Sequence, residues 1–203
     1  MQPSPPRTNA DRTEATQATL IAAARRLFVD KGYADTGTPE IVAAAGVTRG
    51  ALYHHFADKA DLLRAVAQQA ADEVAADIEA GDAPPAAPLQ ALIDGAERYF
   101  AAMAGQGRAR LLLLEAPAVL PSAQLLALHE RAGARALRDG LDAALAPAAL
   151  AGAVIDALAA QLSAAFDRAA LAIARGEPAE PQRQAMRWLL TQLVQGAGAA
   201  PRA

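Results

Sequence analysis

Gly37 to Phe56 reads GTPEIVAAAGVTRGALYHHF, and its residue order suits two short helices held at a steep angle by Gly46 and Val47. Pro39 presets the backbone for a first helical position, Thr38 before it offers a hydroxyl cap, and Glu40 complements the helix dipole in the first turn. The first helix is expected to stop at Gly46, where a left-handed residue lets the chain turn, and Val47 plugs the angle between the two helices. Thr48 then caps the second helix. Ala51, Leu52, His55 and Phe56 turn inward there, leaving Arg49, Gly50, Tyr53 and His54 on the outer face. Those outward groups suit nucleic acid. An arginine forks onto guanine or grips phosphate, a tyrosine offers a hydroxyl and a flat ring, and a glycine admits the backbone to close approach.

Two short helices joined through glycine are common, so the flanks carry much of the weight. Upstream, a helix is expected from Asp11, with Glu14 completing a capping box, to about Lys31. Its apolar stripe is Leu20, Ile21, Ala24, Leu27 and Phe28, and Gly32 ends it. This helix braces the reading pair. Downstream, Asp58 caps a long helix from Lys59 to about Ala80, striped by Leu63, Val66, Ala67, Ala70, Val74 and Ile78. GDAPPAAP, Gly81 to Pro88, then breaks the chain.

The run from Thr13 to about Val66 resembles the DNA-binding domain of the tetracycline-repressor (TetR) family, on Ala23, Phe28, Gly32, Tyr33, Thr36, Ile41, Ala45, Gly46, Val47, Leu52, Tyr53, His55, Phe56, Lys59 and Leu62. The inner GVTRGALYHHF is similar to repressors of multidrug pumps. The resemblance implies a helix-turn-helix head that reads double-stranded operator DNA. Thr36, Thr38, Tyr53, Lys59 and the first-turn amides of the Pro39 helix would hold phosphates; Arg49, Gly50 and His54 would meet base edges, with Thr48 at the groove's edge. One departure stands out. Gly37 and Thr38 stand before Pro39 where many relatives carry a hydroxyl-bearing or apolar pair, and Gly37 removes one possible phosphate ligand, so contact there falls to Thr36, Thr38 or backbone amides.

The 203-residue chain is 53% hydrophobic but 4% aromatic, which predicts an all-α fold with a core of Leu, Val, Ile and Ala. It has no cysteine, which excludes disulfides and thiolate zinc sites and fits a reducing cytoplasm. Residues 1–10 lack the apolar core of a signal peptide and read as a disordered tail, with a minor-groove arm through Arg7 and Arg12 as the alternative. Residues 1–64 carry eight basic and seven acidic side chains, within a total charge of −3. A head so nearly neutral is expected to rely on a few placed contacts per half-site and a two-fold dimer.

The expected organisation is a helix-turn-helix domain over 11–66, a helical effector-binding and dimerisation domain over 67–195, and a flexible tail over 196–203. In the body, Leu89 to about Ala104 is amphipathic, and RARLLLLEAPAVL, with Pro117 and Pro121, resembles the body of a large TetR subgroup. Its four consecutive leucines call for burial on nearly every side. One helix is expected from Pro121 to Leu145, another from Pro147 to about Arg175, and a last from Gln182 to about Gln195. The apolar run Ala148 to Phe166 is interrupted by Asp156, Gln161 and Ser163, which argues against a membrane span.

Relatives bind small apolar or amphipathic effectors in their bodies, which implies a pocket here. Tyr99, Phe100, Met103, Leu113 and His129 are its expected lining, although aromatic and Met residues at such spacing also serve as plain core. Leu158, Leu162, Phe166, Trp188 and Gln192 are expected at a homodimer seam, with Trp188 packed in its own subunit as the alternative. His54 and His55 are neighbours pointing about 100° apart with no third ligand near them in sequence, so no metal site or cofactor is expected. Three histidines, no cysteine and no carboxylate or phosphate-loop motif leave no catalytic constellation. The expectation is a ligand-responsive homodimeric repressor, with a helical ligand carrier that ignores DNA as the alternative.

Overall fold

A computed structural model of the chain describes residues 9–80 and 87–199, all of whose regular elements are helical. Arg7, the first eight residues, most of the GDAPPAAP break and residues 200–203 lie outside the described residues. The first helix, α1 (Asn9–Asp30), begins two residues before the expected start, so Asp11 sits inside it rather than at its cap, and Asn9 and Ala10 belong to it rather than to a tail. It ends at Gly32, whose φ of +92° a side chain rarely tolerates.

α2 (Thr38–Ala45) and α3 (Arg49–His55) form the expected pair. Gly46 is left-handed, at φ +66°, and its amide bonds to the carbonyl of Ala43 while that of Val47 bonds to Val42. Thr48 caps α3 by accepting the Ala51 amide at 3.1 Å. Thr38 does not cap α2: Gly37 takes that position with no side chain to offer, and Thr38 is the first helical residue. α4 (Lys59–Glu79) starts with a reciprocal cap, Asp58 accepting the Asp61 amide and Asp61 accepting the Ala57 amide. Leu20 and Phe28 of α1, Ile41 of α2, Leu52 of α3 and Leu62, Leu63 and Val66 of α4 are fully buried together. At about 1.5–3 kcal/mol for each large apolar side chain removed from water, this cluster fixes the angle between the helices.

The body continues through α5 (Pro88–Ala104) and α6 (Arg108–Arg110), which runs on as a π-helical turn (Leu111–Glu115) and α7 (Ala116–Val119). Of the four leucines, Leu111 and Leu112 are buried and Leu113 and Leu114 half-buried. The single helix expected from Pro121 to Leu145 is two, α8 (Ser122–His129) and α9 (Arg135–Leu145), bent at Gly133. Gly133 has φ +125°, and a Cβ there would lie 2.8 Å from Cδ1 of Ile78, so the bend seats this chain tightly against α4.

Pro147 does not start the next helix. It lies in a 3-10 turn (Ala146–Ala148), the chain reverses through Ala149 at φ +49°, and α10 (Gly152–Ala174) begins five residues later than Pro147. α10 is long and apolar enough by composition to cross a membrane, yet it packs on α5, α9 and α11 and pairs Asp156 with Arg138 at 2.8 Å. α11 (Ala179–Ala199) starts three residues earlier than expected and takes in residues 196–199 of the expected tail.

Candidate nucleic-acid interface and ligand cavity

The N-cap at Thr48 aims the start of α3 outward, and Arg49, Gly50, Tyr53 and His54 all lie on the exposed face while Leu52 anchors the opposite side. Tyr53 is 44% exposed, and the Arg49 guanidinium lies over its ring at 5.5 Å. Hydrogen bonds from Arg49 and then Thr38 draw the Tyr53 phenol below its ordinary pKa. The exposed Arg49 and Tyr53 and the half-buried Thr38 therefore form one polar group spanning α2 and α3. His55 is half-buried beside Phe56.

Two expected phosphate ligands are occupied inside the head. Thr36 is 1% exposed, and its hydroxyl donates to the Gly32 carbonyl at 2.7 Å, closing the turn after α1, so its side chain is withdrawn from the DNA-facing set. Lys59 donates to the carbonyls of Tyr33 at 2.8 Å and Thr36 at 2.9 Å and sits 4.0 Å from the centre of the Tyr33 ring. An ammonium has three donors, so one remains for a phosphate.

The body grips the head at the same turn. Glu115 accepts the Tyr33 amide at 2.9 Å and the Arg110 Nε at 2.9 Å, while Arg110 donates to the Val29 carbonyl. Gly32 is tied to glycine twice over, since a Cβ there would also meet Arg110 at 3.0 Å and Glu115 at 3.2 Å. Nearby, Arg108 is 8% exposed and bonds Glu73, Asp77 and the Ala102 carbonyl, and Glu73 also takes a bidentate pair from Arg25 at 2.6 and 2.8 Å. Arg25 first, then Arg108, holds the Glu73 carboxyl below its ordinary pKa. Nothing local in sequence marks this network, because its partners stand 35 and 48 residues apart.

Between α4, α5, the π turn, α8, α9 and α10 lies a cavity of about 180 Å³. Tyr99, Met103, Leu113 and His129 of the expected lining border it. Phe100 does not. It is 2% exposed and stands behind the wall, with ring centres 5.9 Å from Tyr99 and 5.6 Å from Phe166. Phe166 is itself a correction: 5% exposed and lining the cavity, it is absent from the outer seam. Sequence reading also missed Asp167, which accepts the Tyr99 hydroxyl at 2.5 Å. A carboxylate directly after the apolar run ending at Phe166 was the available signal.

The outer faces of α10 and α11 carry Val154, 45% exposed, Trp188, 61%, and Leu189, 41%. Trp188 and Gln192 are exposed, and Leu158 and Leu162 half-buried, so Trp188 is not packed inside its own subunit.

A family model described as "Bacterial regulatory proteins, tetR family" matches residues 20–66, and one described as "Tetracyclin repressor-like, C-terminal domain" matches residues 89–197, more than half the chain. The chain belongs to the TetR family. Its TetR relatives include the HTH-type transcriptional regulator CymR of Pseudomonas putida, 37% identical over 46% of this chain and 48% of that protein. The A-factor receptor protein of Streptomyces griseus is 36% identical over 49% of this chain and 34% of that protein. The match thus spans half or less of these curated relatives. Among solved structures, a TetR-family regulator from Pectobacterium atrosepticum is 29% identical, with a TM-score of 0.65, over 97% of this chain and all of that one. Another from Shewanella sp. PV-4 shares the fold at a TM-score of 0.70, covering 90% of this chain and 97% of that one. The chain thus carries both the DNA-binding domain and the C-terminal domain of a TetR-family transcriptional regulator.

Proposed function

We propose that the chain works in the cytoplasm as a homodimeric repressor that a small apolar or amphipathic effector releases from its operator. The observation that carries this reading is the pairing of an exposed reading face on α3 with a cavity whose walls include parts that hold the head. Residues 11–66 act as the reading head and 67–195 as the regulatory body. Arg49, Gly50 and His54 meet base edges, Thr48 lies at the groove's edge, and Thr38, Tyr53, Lys59 and the first amides of α2 hold the backbone. The second copy docks on the outer faces of α10 and α11, through Leu158, Leu162, Trp188 and Gln192, which sets the two heads apart by the spacing of successive major grooves.

Leu112 and Leu113 line the cavity two or three residues from Glu115, which holds the turn at Tyr33, and Ile78 brings α4 itself into the wall. An occupant that displaces these groups biases the set of the heads. Complete reversal of the bound population needs about 5.5 kcal/mol of preference for the released form.

The test is a gel shift with the DNA upstream of the protein's own coding region. Wild type retards it and Arg49→Ala does not; retardation that survives Arg49→Ala, or none with wild type on any DNA recovered by genome-wide mapping, defeats the reading. Sedimentation supplies the second arm: Trp188→Arg gives monomers, and an intact dimer removes the seam from the account.

A further inference from the structure

Tyr99 of α5, His129 at the end of α8 and Asp167 of α10 meet in a cavity whose wall is mostly apolar but also includes Arg98 and Ser163. The Tyr99 hydroxyl donates to Asp167 Oδ1 at 2.5 Å, while Asp167 Oδ2 stands 3.8 Å from His129 Nε2, too far for a hydrogen bond. Among the described residues Oδ2 accepts no hydrogen bond. Burial raises the pKa of Asp167 against the pull of Tyr99 and His129, and burial followed by the Asp167 charge raises that of Tyr99 well above its ordinary value, so the phenol stays a donor. The Asp167 side chain is 24% exposed, so Oδ2 stays open to a donor that enters the cavity.

Building on the effector cavity read above, we propose that this gap takes the hydroxyl of a one-ring phenol, which donates to Asp167 Oδ2 and accepts from His129 Nε2. Three observations select that chemistry. The gap asks for a group that both donates and accepts, because the nearby carboxylate favours the imidazole tautomer with its proton on Nε2; an ammonium only donates and a carboxylate only accepts. Arg98 also lines the cavity, its Nε donates to the Ile78 carbonyl and it has no carboxylate partner among the described residues, so the wall is not an anionic trap for cations. Finally, an apolar void of about 150 Å³ accommodates benzene, so about 180 Å³ suits one ring with a short substituent. The rings of Tyr99 and Phe166, edge to face at 5.7 Å, supply the aromatic wall.

Calorimetry on the full chain tests this with 4-ethylphenol, its methyl ether 4-ethylanisole, 4-ethylbenzoate and 4-ethylbenzylammonium. The phenol binds at least tenfold tighter than each of the others. Asp167→Asn, close to isosteric, brings the phenol-to-ether ratio towards one; because the ratio is taken within one protein, it survives a general loss of affinity. Equal or tighter binding of the ether, the benzoate or the ammonium overturns the assignment, as does an unchanged ratio in Asp167→Asn or no binding of the phenol. The gel shift of the unliganded protein separates this from the regulatory reading. DNA retardation without phenol binding sinks only the ligand class, and phenol binding without retardation by any DNA sinks only the regulator.

Discussion

The reading head and the cavity of the body are assembled by opposite means. In the head, Gly46, Thr48 and Asp58 each act on residues within four positions, and the side chains that face outward are consecutive turns of one short helix. In the cavity, Tyr99, His129 and Asp167 come from three separate helices and meet only because those helices pack. The difference teaches where each part is vulnerable: the head to loss of a cap or of its few buried leucines, the cavity to anything that alters helix approach.

The comparison is broken hardest at the head's core. Leu52 is fully buried, so Leu52→Ala should cost about 2–5 kcal/mol by urea unfolding, and a change under 1 kcal/mol would mean the head does not rest on α3. On the side of the body, Gly133→Ala places a Cβ 2.8 Å from the end of Ile78 and strains a positive φ. It should cost about 1–3 kcal/mol in the same assay and weaken binding of any cavity ligand; unaltered stability would show that the bend is not held against α4.

Tyr53→Ala separates reading from folding. It should weaken DNA binding by about 1–3 kcal/mol in a titration with mapped operator DNA while leaving the urea midpoint in place, since the residue is exposed. Thr48→Ala tests the local character of the head, with about 1 kcal/mol of stability lost with the cap at the Ala51 amide.

The smallest expected effect lies where the two regions join. Because Arg25 and Arg108 depress the folded pKa of Glu73, its contribution to stability is complete above its ordinary value of 4.5 and is lost as pH falls through the lower folded value. Glu73→Gln should therefore flatten the acid limb of a stability-versus-pH curve below that point. An identical limb in the variant would show that the ion network does not couple to folding.

Much of this was legible from residue order because it is a matter of near neighbours. A glycine three residues after Ala43, a threonine three before Ala51 and an apolar stripe along α4 each specify a backbone event without knowledge of the rest of the chain. The all-helical class and the outward set Arg49, Gly50, Tyr53 and His54 follow from the same local rules. Even so, two hydroxyls misled: Thr38 lies inside α2 rather than at its cap, and Thr36 is spent on Gly32, a contact settled by how tightly the turn closes. What packing alone decided lies farther apart in sequence. Phe166 turned into the cavity rather than outward because α10 rotates its aromatic face onto Tyr99 and Phe100, and Asp167 followed it to a place where a carboxylate meets a phenol 68 residues away. Helical periodicity states that residues share a face; only the arrangement of the neighbouring helices states what that face meets.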